Sequence, residues 1–357
     1  MKSQTFITKY NSSLHYFPLC SGTTTKEIHI DSTIQDLLTT AYFLLGKLEG
    51  ISEHIHNAGF IENVYLLKEA IYSCRLEDSE TTLLDFLKFK SKTGEQPNEE
   101  ITQISNYVKA INLSLKTIES NPISISLLKK INEEFFNTPN HNTLSSCPNN
   151  LIKPKLESKT FENIETILQE DVRIPTLIRA GIIYFELIKT APFDSNNGKV
   201  IRLLIPLFFS KHGILKKPIL YLSKYFKTYE DEYYNLFRQN DTINNPESWL
   251  KFFLSGLITT ATNVIQTTNK IKTIIESNDK KVKDLGRSSE KGILLLEHLY
   301  EKPFVTIKDV EEITSLKNPN ALSLVSKFVK AGILEETTGQ KRNRVFVYGD
   351  YVRLLEQ

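Results

Sequence analysis

The chain has 357 residues, of which 40% are hydrophobic and 24% charged, values ordinary for a globular protein of two or three domains with a sizeable core. Its 44 basic and 42 acidic residues leave a formal net charge of +2, so no global field announces a nucleic-acid or membrane partner, and any basic patch must be local. Three separated cysteines, Cys20, Cys74 and Cys147, form neither a paired zinc spacing nor an even disulfide set, which points to a reducing compartment. The first residues, MKSQTFITKYNSS, lack the apolar core of a signal sequence. The longest apolar runs, such as IRLLIPLFF, fall far short of the roughly 20 residues that a membrane span needs, so a cytoplasmic location with no membrane partner is expected.

Residues 34–89 read as helical. Leu37, Leu38, Ala41, Leu44, Leu45 and Leu48 recur at three- and four-residue steps, and the pattern closes at Gly50. A second helix carries Val64, Leu67, Ala70, Ile71 and Cys74 on one stripe and ends in SCRLED, where Ser73 and Glu77 share an adjacent face. Taken alone, Glu77 reads as a solvated helix-end carboxylate. SKTGEQPNEE is a polar loop, helices follow over 101–118 and from about Ile123, and residues 138–155 lose all periodicity, reading as a lid, a partner surface or a plain connector.

A densely apolar helix over 174–188 leads into TAPFDSNNGKVIR at 190–202, and a second, nearly all-apolar helix ends near Gly213. The turn between them has the layout of a phosphate-binding helix N-terminus, where unpaired backbone N–H groups and the helix dipole attract an anion. Ordinary capping chemistry accounts for Asn-Gly at a helix start equally well. KPILYLSKYF, DEYYNLF and the run from Trp249 to about Ile275 add amphipathic helices, so the fold class is mainly α. From Glu276 the chain turns polar and charge-rich, as a solvated helix extension or a linker. ILLLEHLY, TIKDVEEIT and NPNALSLVSKFVKAG then read as three helices, and ILEETTGQKRNRVFVY as a hairpin around Thr338 and Gly339.

Three helices and a hairpin are the order of a small α+β winged helix-turn-helix. Its wing carries Lys341, Arg342 and Arg344, placed to contact DNA phosphates, while the third helix offers Lys327 and Lys330. A protein-interaction or dimerisation module, homodimer included, is the alternative. The expected organisation is an N-terminal helical region over 1–120, a helical core over 121–275, and a linker with the winged domain over 276–357.

Several segments in order resemble the Fic family, in particular members with an N-terminal inhibitory helix and a C-terminal winged helix. LLTTAYFLLGKLEG and KEAIYSCRLED look like its N-terminal region, and PTLIRAGIIYFELIKTAPFDSNNGKVIRLLIPLFF like its core. KPILYLSKYF, DEYY and WLKFFLSG resemble the segment behind the core, and KAGILEETTGQKRNRVFVY the tail. The resemblance covers nearly the whole chain. It implies a mostly helical fold and transfer of AMP from ATP to a hydroxyl of a target protein, through a loop of the form H-x-F-x-(D/E)-G-N-G-(R/K)-x-x-R. In such a loop the His takes the proton of the attacking hydroxyl and the acid holds Mg²⁺ on the phosphates. The Gly and Asn backbone makes an anion nest, and the Arg side chains neutralise phosphate.

Aligned on Pro192 and Phe193, this chain matches at Phe193, Asn197, Gly198, Lys199 and Arg202. Asn196 replaces the first Gly, and Asn tolerates the left-handed backbone that Gly provides. Ala191 stands where the His is expected and has no proton acceptor; Ser195 stands where the acid is expected and is a poor Mg²⁺ ligand. Asp194 lies one position earlier, and in the family that position usually points elsewhere. The resemblance thus implies nucleotide or phosphate binding, with ATP as ligand, at Asn196, Asn197, Gly198, Lys199 and Arg202, beside a lost general base and a lost Mg²⁺ ligand. SCRLED resembles the inhibitory (S/T)-x-x-x-E-(G/N), with Asp78 in the last place, and implies that Glu77 pairs with Arg202 and bars the γ-phosphate from its reactive pose. HNTLSSCPNN lacks the signature of the family's target-clamping flap. Three readings follow: a degenerate AMP-transferase that keeps its nucleotide site, an active one in which Ala191 deliberately replaces the His, and a DNA-binding transcriptional regulator using the Fic-like body as scaffold. Ser195 and Asn196 depart from the pattern together with Ala191, which favours natural degeneracy.

Overall fold

The computed structural model describes residues 7–10, 13–16, 26–53, 58–91, 96–136, 168, 174–191, 193, 196–237, 246–339 and 344–356. The chain folds into two compact units, each assembled from separated segments. Among the described residues no helix is long and apolar enough to cross a membrane.

The first unit draws on segments 1–54, 65–80 and 102–262. It opens with an antiparallel sheet of β1 (Ile7–Tyr10), β2 (Ser13–Tyr16) and β3 (Lys26–His29), which the hydrophobic pattern does not announce. α1 (Ser32–Glu53) is capped by Asp31, whose carboxylate accepts from the Ile34 N–H at 2.8 Å. Its buried stripe is Ile34, Ala41, Leu45 and Leu48, and the helix runs past Gly50, the stop read from the sequence. α2 (Ala58–Arg75) is buried almost all round from Val64 to Cys74, so it is a central helix and not an amphipathic one. α3 (Leu83–Ser91) belongs to the second unit; α4 (Glu99–Ser120) and α5 (Ile125–Ile131) follow, and α5 is capped by Ser124 and continues into a π-helical turn over Asn132–Phe136.

α6 (Thr176–Thr190) and α7 (Asn197–Lys211) pack on each other as the centre of this unit. Trp249, near the start of α10 (Pro246–Lys283), is fully buried and donates its indole N–H to the Gly181 carbonyl at 2.7 Å. A Cβ at Gly181 would lie 2.8 Å from Leu250, so the close approach of α6 and α10 requires glycine there. Tyr184, Phe237 and Phe253 ring the Trp249 indole, and Tyr184 shares a 2.8 Å hydroxyl hydrogen bond with Tyr233. Two short helices, α8 (Leu222–Thr228) and α9 (Glu230–Asn235), close the aromatic cluster. Gly213 ends the α7 segment with φ +68°, as the sequence pattern indicates.

The second unit draws on segments 55–64, 81–101 and 263–357. The charge-rich stretch after Glu276 is helical to Lys283, which makes it the extension of α10 rather than an open linker. α11 (Ser289–Glu301) is followed by β4 (Phe304–Thr306), α12 (Ile307–Thr314), α13 (Asn318–Lys330), β5 (Glu335–Glu336), β6 (Val345–Val347) and α14 (Gly349–Glu356). The strands form an antiparallel sheet in the order β4-β6-β5, with Val347 opposite both Phe304 and Glu335. Thr306 and Asp309 make a reciprocal capping box on α12. The three helices and the paired strands of the hairpin are those the sequence pattern indicates, whereas β4 and α14 carry no such signal. The architecture is mainly α with a small C-terminal α+β region.

Candidate functional site

The loop at 190–202 begins and ends in left-handed backbone. Ala191 caps α6 with φ 45° and ψ 61°, its N–H bonded to the Leu187 carbonyl, and Asn196 precedes α7 with φ 56° and ψ 23°. Both positions favour glycine or asparagine, so Asn196 suits its place and Ala191 carries strain. Pro192, Asp194 and Ser195 lie outside the described residues, and with them the expected loss of a Mg²⁺ ligand at Ser195. Between the two turns, Phe193 is buried and Asn197 grips its backbone on both sides. The Asn197 amide accepts from the Phe193 N–H at 2.8 Å and donates to the Phe193 carbonyl at 2.6 Å. Asn197 therefore shapes the loop through its side chain.

Capping chemistry does not explain Asn196: its side chain makes no hydrogen bond to the first turn of α7. That turn keeps the unpaired N–H groups of a helix start, and it also brings two cations. Arg202 is 3% exposed, with its Nε on the Ser73 hydroxyl at 2.7 Å and its Nη2 on the Ser73 carbonyl at 2.9 Å and on Glu77 Oε1 at 2.7 Å. Lys199 reaches Glu77 Oε2 at 3.0 Å and Gln103 Oε1 at 3.1 Å. One carboxylate thus spans both cations. A Cβ at Gly198 would fall 2.7 Å from Arg202 Nη1 and 2.8 Å from Glu77 Oε1, so the pair closes over a bare glycine.

Glu77 sits just past the last turn of α2, with its side chain only 8% exposed, which corrects its reading as a solvated acid. Its backbone N–H bonds back to the Cys74 carbonyl, and the Leu76 carbonyl accepts from the Tyr234 hydroxyl at 2.9 Å. Asp78 takes φ 66°, a left-handed conformation that Asp adopts more readily than most residues, which is the physical reason Gly or Asn would serve there. Burial alone pushes the Glu77 carboxyl up, but Lys199 and then Arg202 outweigh it and hold it below the ordinary glutamate range. Burial likewise opposes the Arg202 charge, and the Glu77 carboxylate together with Tyr233, Tyr184 and Tyr107 holds it well above the ordinary arginine range.

A second carboxylate, which sequence reasoning does not single out, lies within α2 itself. Glu69 is 4% exposed and accepts from the Ser223 N–H at 3.0 Å and from the Ser223 hydroxyl, with Tyr107 beside it. Burial pushes its pKa up to about 7, against the pull of the Ser223 hydrogen bonds. Its neighbour Lys68 is 2% exposed, with its ammonium 4.3 Å from the Tyr221 ring centroid, and burial followed by Lys224 lowers its pKa to about 7. Glu69 stands one helical turn before Ser73, a spacing that could have flagged it. Gln103 has no local signal at all.

Ser73, Glu77, Gly198, Lys199 and Arg202 are therefore brought together, and Asn196 and Asn197 shape the loop beside them. Lys341 and Arg342 lie outside the described residues, as does the stretch 138–155; Arg344 is described, its guanidinium 5.5 Å from the Phe346 ring centroid. No group of three or more His, Cys, Asp or Glu side chains able to hold a metal occurs among the described residues.

Residues 35–116 match the family model described as Fic/DOC family N-terminal. The fold is similar to the crystal structure of a Fic family protein from Desulfovibrio desulfuricans G20, with a TM-score of 0.53 over 90% of this chain and 97% of that one. At 13% identity the likeness is one of fold.

Proposed function

The chain belongs to the Fic/Doc family, and from that premise we propose that it binds the phosphates of a nucleotide such as ATP at the start of α7, under the control of Glu77, with the family's AMP transfer impaired. The observation that supports this reading is the single carboxylate shared by Lys199 and Arg202 at 3.0 and 2.7 Å. A phosphate seeking those two cations and the helix N-terminus must first displace Glu77. Glu77 acts as an internal anion occupying the phosphate's place.

The chemical step lacks its base. Ala191 ends α6 at the loop, and a methyl group takes no proton from an attacking hydroxyl, a loss on the order of 10²- to 10⁴-fold. No step is assigned to a metal. Binding and chemistry are separable by experiment. Calorimetry with ATP should give weak binding in the wild type, at least roughly tenfold tighter binding in Glu77→Gly and Glu77→Gln, and none in Arg202→Ala. Equal affinities in all four proteins would sink the proposal. Labelled AMP transfer to itself or to lysate should be absent in the wild type and should appear after Ala191→His with Ser195→Asp; histidine suits the left-handed position 191 better than alanine does.

A further inference from the structure

The C-terminal unit turns one side of α13 to solvent. Ala321, Leu324, Val325 and Phe328 fill the core, while Lys317, Asn320, Ser323, Ser326 and Lys330 are exposed on the opposite side. We propose that this face docks into the major groove of duplex DNA, a role independent of the nucleotide site.

Charge is the first support. No carboxylate occurs from Ser315 to Leu334, and the exposed face has a lysine at each end. In the sequence, the connection between β5 and β6 adds Lys341, Arg342 and Arg344, of which Arg344 is close enough to Glu336 on β5 for their charges to interact. The net charge of the whole chain, only +2, makes this local separation informative. The side chains between the lysines are the second support. Asn320, Ser323 and Ser326 are neutral donors and acceptors of the kind that read base edges, and Val329, 40% exposed, is the large apolar side chain on the outer half of the helix. A face built for a protein partner would put apolar anchors at its centre, and here the centre is serine.

Geometry agrees. The 13 residues of α13 make a rod of about 20 Å, which the roughly 12 Å wide major groove admits. α13 follows α12 through a tight turn at Ser315, with φ 56°, and the two helices pack on each other, so the reading face is held rigidly. α12 carries acids beside this helix: Glu311 accepts from the Asn318 amide at 2.6 Å, at the N-terminal end of the face, and Glu312 is exposed and paired with Lys308.

The test is fluorescence anisotropy of the full chain with a labelled duplex of about 30 base pairs, at about 50 to 200 mM salt. Binding is expected, with log affinity falling linearly in log salt by roughly 0.9 per phosphate contact. Lys317→Glu with Lys330→Glu should weaken it at least roughly tenfold and flatten the salt slope, and Ser323→Glu alone should weaken it similarly, with circular dichroism unchanged because all three sites are exposed. Glu311→Gln should tighten it. Absence of binding at low salt, or affinities that ignore these substitutions, would overturn the proposal. So would loss of self-association in sedimentation without any effect on DNA, which would assign the face to a second copy.

Discussion

Glu69 within α2 and Glu77 just past its end are both withdrawn from water, and their pKa values shift in opposite directions. Glu69 faces hydroxyls and a backbone N–H, with the Arg202 charge a lesser pull, and burial wins, raising it to about 7. Glu77 faces an ammonium and a guanidinium, and they win, lowering it. Burial is common to both, so partner charge decides the outcome. Their roles divide along the same line. Glu77 is an ion among cations, whereas Glu69, raised to about 7, fastens α2 to the start of α8.

Glu77→Ala should have the largest effect on this contrast. It leaves Arg202 and Lys199 buried without their carboxylate, and loss of one partner from such a pair costs about 3–5 kcal/mol. Denaturant unfolding at neutral pH should read that cost, and a loss under about 1 kcal/mol would place the pair with ordinary surface ion pairs. The pH dependence gives a second readout. A carboxyl held below its unfolded value contributes stability that is present above that value and lost as pH falls through the folded one. The wild type should therefore lose stability below the ordinary glutamate value of 4.5 by a component that Glu77→Ala lacks.

Glu69→Gln comes next, with the opposite sign. Because its folded pKa is raised from 4.5 to about 7, the native state holds a proton that the unfolded state has released between those values, and stability falls as pH rises across the window. The expected span is about 3 kcal/mol. Glutamine keeps an acceptor for Ser223 and does not titrate, so the variant should match the wild type near pH 4.5 and exceed it above pH 7. Parallel stability curves for the two proteins across that window would show Glu69 to be ionised in the fold.

Of the two carboxylates, the sequence makes one visible. Helical periodicity places α1, α2, α6 and α7 and their apolar sides, and the glycine stops at 213 and 332 take positive φ in the structure. The Fic resemblance pairs Glu77 with Arg202. Periodicity cannot show that α2 is buried all round, because Lys68, Glu69 and Ser73 interrupt the apolar run with polar groups whose partners come from elsewhere in the chain. Gln103 lies 96 positions from Lys199 and Ser223 lies 154 from Glu69, and no local pattern encodes such pairings. The N-terminal sheet is not legible: Ile7, Thr8, Tyr10 and Tyr16 are strand formers, but four-residue strands carry too little alternation to stand out. β4, three residues long, is shorter still.

The smallest expected effect leaves both carboxyls untouched. Ala191 holds φ 45° at the end of α6, where a Cβ costs roughly 1–2 kcal/mol. Ala191→Gly removes that strain and gives back part of the gain, about 0.4–1 kcal/mol, through the greater freedom of glycine in the unfolded chain. A net rise in stability of about 0.5–1 kcal/mol is expected, with the acid-side loss due to Glu77 and the window due to Glu69 both unchanged. If the rise came with a shift in the Glu77 component, the backbone strain at the loop's start and the ion pair at its end would be coupled, and Glu77 would be holding the loop shut as well as holding its cations. An unshifted component would confine Glu77 to the cations, and the strain at Ala191 would then belong to the loop alone.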